Sequence, residues 1–184
     1  MHADDYLSEA CEIAARINPK DIERMAHMLA SVRGRIFCVG LGGSLANASH
    51  MAADFRKLCH LNAVAPDNMA ELTAWANDAG WEMAFTGVLT GMGEEDALFV
   101  LSVGGGTDNV SRAISYCVDW AYDQGTTIFG IVGPEGGRTA RMGDCVICVP
   151  APAHRVTAHT EAFQALLWHC LISHPLLQKE KTKW

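Results

Sequence analysis

The chain has 184 residues, of which 49% are apolar and 19% charged, with a formal net charge of −7. That length favours one domain with a core of its own, and the composition is globular rather than disordered. No apolar run reaches the length of a bilayer span, and the acidic balance argues against non-specific nucleic-acid binding, which needs a basic surface to neutralise phosphates.

Residues 1–33 read as a helical lead-in. Leu7, Cys11, Ala14 and Ala15, then Ile22, Met25, Met28 and Leu29, recur at helical spacing, and Asn18-Pro19 breaks them into two helices. No basic stretch precedes an apolar one there, so no secretory leader is read and a cytoplasmic protein is expected. Short, nearly continuous apolar runs follow at 36–39, 97–103, 127–132 and 145–149. Runs of this kind are buried parallel strands. Helical patterns lie between them at 45–58, 69–79, 81–90, 109–123 and 158–174. The alternation predicts an α/β fold, a doubly wound and mainly parallel sheet flanked by helices, with an α/β core over 34–176 and a loose tail over 177–184.

In open α/β sheets ligands bind outside the carboxyl ends of the strands, and this chain places its glycines there. Gly40, Leu41, Gly42, Gly43 and Ser44 follow the first strand. They miss the dinucleotide-binding spacing GxGxxG, because Leu45 falls where the third glycine belongs. Ser102, Val103, Gly104, Gly105, Gly106 and Thr107 follow the second long run. Glycine turns entering helices expose unpaired N–H groups to which a phosphate can bind, although Asp108 could equally be a plain helix cap.

Downstream of the first loop, His50 and Asp54 are four residues apart and share a helix face. The last helix offers Glu161 and His169, and two imidazoles with two carboxylates make a plausible zinc set. Eight helical residues rise about 12 Å, so Glu161 and His169 share one ion only by reaching toward each other at full stretch, which a helix kink or ligands donated by two subunits would relieve. Each residue alone also has a simpler account: Asp54 paired with Arg56 or Lys57, His50 and His169 as core histidines, Glu161 facing water. Asn77 and Asp78, flanked by Trp75 and Trp81, could orient a polyol. The remaining histidines, His2, His27, His60, His154, His159 and His174, lack a partner pattern and are expected to be mostly solvated. The seven cysteines read as reduced thiols, with Cys38, Cys117 and Cys170 in apolar patterns and expected in the core. Strand alternation puts Cys145 and Cys148 on opposite faces, against a zinc or redox CxxC.

The segments VGLGGSLANASHMAAD, WANDAGW, LSVGGGTDNVSRAI and EAFQALLWH together resemble the sugar isomerase (SIS) domain family, within it the bacterial phosphoheptose isomerases, over roughly residues 35–175. The resemblance implies an aldose-ketose isomerase acting on sedoheptulose 7-phosphate through an enediol, with one Zn2+ per subunit, in a homotetramer with active sites at subunit contacts. It implies His50, Asp54, Glu161 and His169 as metal ligands, with Asp54 as base and His169 as its proton-shuttling partner. It places the substrate on Gly42, Gly43, Ser44, Asn77, Asp78, Ser102, Val103, Gly104, Thr107 and Glu161. Against the family pattern, Leu41 replaces asparagine, Asp54 glutamate and Glu161 glutamine, and Val103, Gly104 and Gly106 replace polar phosphate-loop residues. Two other functions stay open: a non-catalytic SIS module binding a sugar phosphate or a protein partner, and an isomerase of a different phosphorylated sugar.

Overall fold

A computed structural model describes residues 1–183, apart from the side chains of Thr86 and Val88; the expected loose tail ends on Trp184, which lies outside the described residues. Helices α1 (His2–Arg16) and α2 (Pro19–Ser31) lead into β1 (Ile36–Val39), α3 (Gly43–Cys59) and β2 (Ala63–Val64). Then come α4 (Met69–Ala79), α5 (Ala84–Val88), β3 (Ala97–Ser102), α6 (Arg112–Asp123), β4 (Thr127–Val132), α7 (Gly137–Met142), β5 (Cys145–Cys148) and α8 (Val156–Ile172).

The five strands form one sheet in the order β2-β1-β3-β4-β5, and every pairing is parallel. The doubly wound architecture expected from the alternating apolar runs is therefore present. Ile36 and Cys38 of β1, Phe99 and Leu101 of β3 and Ile131 of β4 face a core shared with α1, α2, α3 and α8. Phe37, Val39, Leu98, Val100 and Ile128 face the opposite core, against α4, α5 and α6. Both faces are covered, which is why the strands read as continuous apolar runs. The rings of Phe55, Phe99 and Phe129 pack in a row with centroids 6.2 and 5.8 Å apart. Burying one such side chain stabilises by about 1.5–3 kcal/mol.

Several boundaries differ from the sequence reading, each for a local reason. β2 and α7, two and six residues long, were not anticipated, being too short to show a period. The expected helix over 81–90 splits into a 3₁₀ turn at Trp81–Met83 and the five-residue α5, and its Gly87 sits against the Trp75 ring, where a Cβ would lie 2.2 Å from it. α6 begins at Arg112 rather than 109, because Thr107 and Val110 bond each other reciprocally and hold the intervening turn out of the helix. The tail is not loose from 177 onward: Leu177 is in the core, and the Lys179 and Glu180 amides donate to the Leu58 carbonyl at 2.8 and 3.0 Å. No helix among the described residues is long and apolar enough to cross a membrane.

Candidate active site

The sheet order changes direction between β1 and β3, and in such sheets the crevice at that switch point is where ligands bind. The loops leaving those two strands flank it. In the first, the chain turns so closely that a Cβ on Gly40 would fall 2.5 Å from the Ser44 carbonyl oxygen, and Gly42 has φ +59°. The turn delivers Gly43 and Ser44 as the first residues of α3. Glu161, from α8, places its carboxylate over this helix start: a Cβ on Gly43 would lie 2.5 Å from its Oε2, and Ser44 Oγ is 3.5 Å from its Oε1. A negative charge there is favoured by the helix dipole. Asn47, which the sequence did not single out, clamps α3 to α8 by donating to the Glu161 carbonyl at 3.0 Å and to the Gln164 side chain at 3.2 Å.

The second loop is locked from behind. Gly105 and Gly106 have φ of +66° and +79°, and the Gly105 carbonyl accepts from the Thr139 amide and hydroxyl at 2.9 and 2.8 Å. Ser102 Oγ accepts from the Gly105 amide at 3.1 Å, and the Thr107 hydroxyl donates to the Val110 carbonyl at 2.8 Å. The Thr107 proton is thus engaged within the loop, whereas Ser102 Oγ only accepts there and keeps its proton for a ligand. Val103 gives an apolar side chain, so the donors left are the Ser102 hydroxyl and backbone groups such as the Gly104 amide, beside which a Cβ would meet nothing within 4 Å.

His50, Asp54 and His169 come together where α3 packs on α8, with one ligand atom from each within 4.8 Å of the others. His50 Nε2 is 3.5 Å from Asp54 Oδ2. His169 Nδ1 donates to the Ala165 carbonyl at 2.8 Å, which fixes the ring and leaves Nε2 as the acceptor nitrogen. The His50 ring stands edge-on to the buried Trp168 at 4.7 Å and to His169 at 5.6 Å, so packing sets its orientation as well. Two imidazoles and a carboxylate with open space around them match the three-ligand pattern of catalytic divalent-metal sites.

Glu161 lies outside this group of three, as the 12 Å rise between positions 161 and 169 requires within one chain. Asn77 and Asp78 are exposed near the end of α4, where Asn77 Nδ2 donates to Asp78 Oδ1 at 2.8 Å, and α4 packs mainly on α5 and the 3₁₀ turn rather than on α3 or α8. Cys145 is buried and Cys148 exposed, as the opposite-face reading of the CxxC requires; Cys38 and Cys117 are in the core as expected, whereas Cys170 is exposed, on the face of α8 turned away from it. One expectation is overturned: His159 is fully buried, stacked on Tyr6 with centroids 4.3 Å apart and bonded to Glu9 at 2.8 Å. Glu9 also receives Arg155 at 2.7 Å and pairs with His154 at 3.0 Å. Its partners lie more than 140 positions away, so no local pattern could have shown them.

No protein-family model matches the chain. The phosphoheptose isomerase of Rhodospirillum rubrum is 30% identical to it over 190 residues, covering 94% of each chain. That of Chlorobium phaeobacteroides is 31% identical over 157 residues, 79% of this chain and 68% of the relative. Among solved structures, the phosphoheptose isomerase of Neisseria gonorrhoeae superposes with a TM-score of 0.81 at 25% identity, over 93% of this chain and 96% of that one. With a parallel sheet of matching shape and sequence likeness running nearly end to end, the chain belongs to the phosphoheptose isomerase family of SIS-fold enzymes.

Proposed function

We propose that this isomerase interconverts sedoheptulose 7-phosphate and glycero-manno-heptose 7-phosphate through an enediol, with a divalent ion, Zn2+, held by His50, Asp54 and His169. The observation that carries the reading is the convergence of those three side chains where α3 packs on α8. Moving a carbonyl between adjacent carbons needs one group to take a proton from carbon and return it, and another to move a proton at the carbonyl oxygen. Asp54 has two carboxylate oxygens: one faces His50, and the other is the base. His169, held through Nδ1, has its one lone pair at Nε2, which would hold the ion or move the second proton, the two roles excluding each other at any one moment. When bound, the ion supplies Lewis-acid stabilisation of the negative charge that develops on the substrate oxygens.

Gly42, Gly43 and Ser44 present the start of α3 to the sugar, with Glu161 accepting from its hydroxyls. Asn77 and Asp78 supply a paired donor and acceptor, and residues 102–107 contribute backbone groups. The His50 side chain is 59% exposed, so a homotetramer with active sites at subunit contacts is the assembly that would exclude water from this centre, in the cytoplasm where sugar phosphates are handled.

The test is metal analysis of the purified protein followed by assay with sedoheptulose 7-phosphate, on the parent and on Asp54→Asn. Bound metal and turnover in the parent, both lost in the variant, support the proposal; turnover retained by Asp54→Asn refutes the assignment of the base. A second reading, a non-catalytic module that binds a sugar phosphate or a protein partner, is favoured by the engaged hydroxyl of Thr107 and the apolar Val103 in the loop. Absence of both metal and turnover would select it, whereas metal without heptose turnover would select a different phosphorylated sugar.

A further inference from the structure

We infer that Asn47 and Gln164 are positioning residues, forming a hydrogen-bonded bridge from α3 through α8 to β4 that fixes the two helices in the register at which His50, Asp54 and His169 converge. Asn47 Nδ2 uses both of its protons, donating to the Glu161 carbonyl at 3.0 Å and to Gln164 Oε1 at 3.2 Å. Gln164 Nε2 donates onward to the Ile131 carbonyl of β4 at 3.4 Å. These amide orientations are the ones the network allows, since a flipped Asn47 would set its oxygen against both acceptors. Both helices are in this way tied to the sheet.

Gln164 is out of keeping with its surroundings. It is fully buried, on a face of α8 otherwise made of Phe163, Leu167, Trp168 and Leu171. A leucine there would pack without the cost of desolvating an amide, and a buried amide is tolerated only when it is bonded. Those apolar side chains share one cluster with Ala48, Met51 and Phe55 of α3. Such packing is non-directional, so it holds the helices together more than it chooses their register. Bonds of about 3 Å between fixed amides do choose it.

The bridge sits where it can act on the three candidate ligands. Asn47 and Asp54 are seven residues apart, two turns along one stripe of α3, with His50 between them. Gln164 stands one turn before Trp168, whose ring is edge-on to His50 at 4.7 Å and stacks on His169 at 3.5 Å. On the other side of the bridge, the same stripe brings Ser44 to Glu161. The ligand atoms of His50, Asp54 and His169 lie within 4.8 Å of one another, and groups of this kind need placement within about 0.5 Å to work. The inference rests on reading those three side chains as a divalent-metal site.

The experiment strips metal from the full-length protein and titrates Zn2+ back against a competing chromophoric chelator, with urea unfolding of the metal-free protein in parallel. Asn47→Ala puts a good helix former at a half-buried position, and Gln164→Leu keeps the volume of the side chain. Each should weaken Zn2+ binding about tenfold, the scale on which groups behind metal ligands act. Because both break one bridge, the double variant should lose no more than about the larger single loss. Ile114→Val, in the core on the other side of the sheet, should lose stability and keep the parent's Zn2+ affinity. Unchanged affinity in both single variants, full additivity in the double variant, or an equal loss of affinity in Ile114→Val overturns the inference. If Gln164→Leu fails to fold, Asn47→Ala against Ile114→Val decides the matter. A parent that binds no Zn2+ rejects the metal reading and the inference with it. Bridge-dependent Zn2+ binding without turnover of any phosphosugar upholds the inference and rejects the isomerase reading.

Discussion

Two neighbouring glycines in the second loop make opposite predictions. Gly105 sits at φ +66°, and a Cβ there would fall 2.0 Å from the Gly136 carbonyl oxygen. An L-residue in that conformation costs about 1–2 kcal/mol, and forcing a methyl against backbone costs about 1–3 kcal/mol more. Opening the gap would also loosen the two bonds from Thr139 to the Gly105 carbonyl, each contributing about 0.5–1.5 kcal/mol. Gly105→Ala should therefore destabilise by about 3–5 kcal/mol, lowering Tm by roughly 10 °C in a chain of this size. At Gly104 a Cβ meets nothing within 4 Å. Gly104→Ala should stay within about 0.5 kcal/mol of the parent. Urea unfolding with fluorescence detection, at fixed m-value, measures both. Equal stabilities for the two variants would refute the account of a loop wedged against the start of α7.

The remaining expectations concern charge, metal and thiols. The Arg155 guanidinium first, and His159 next, hold the Glu9 carboxyl well below its ordinary value of 4.5, at about 2. A depressed carboxyl stabilises the fold above its unfolded value and loses that contribution as pH falls toward the folded one. The urea midpoint of the parent should therefore drop between about pH 4.5 and 2, and Glu9→Gln should flatten that limb; an unchanged slope would show that the cluster contributes nothing. Glu161→Gln should keep the metal stoichiometry of the parent, because Glu161 stands outside the three-residue group, and loss of metal would show that it acts as a ligand after all, donated by another copy. Burial pushes the Cys59 thiol up to about 11 and raises Cys38 further, whereas Cys11 and Cys170 are exposed. A thiol reagent should label Cys11 and Cys170 in the folded protein and Cys38 only on unfolding, with mass spectrometry of peptides as the readout.

The sequence by itself determined the layered α/β architecture, because strands buried on both faces must be continuously apolar and the helices between them must carry a period. Ile36–Val39 and Thr127–Val132 were legible for that reason, and Met69–Ala79 from its helical spacing. It also placed His50 and Asp54 on one helix face, a consequence of four-residue spacing alone. Only the tertiary structure decided which distant side chains meet. It brought His169 to that pair through the packing of α3 on α8, and turned Glu161 away to the start of α3. It buried His159 on Glu9, and tied the C-terminal segment to Leu58 so that three lysines gather beside Asp54. The physical reason is that periodicity reports the one face an element buries, whereas a contact across a hundred or more positions depends on how whole elements stack, and no local pattern carries that.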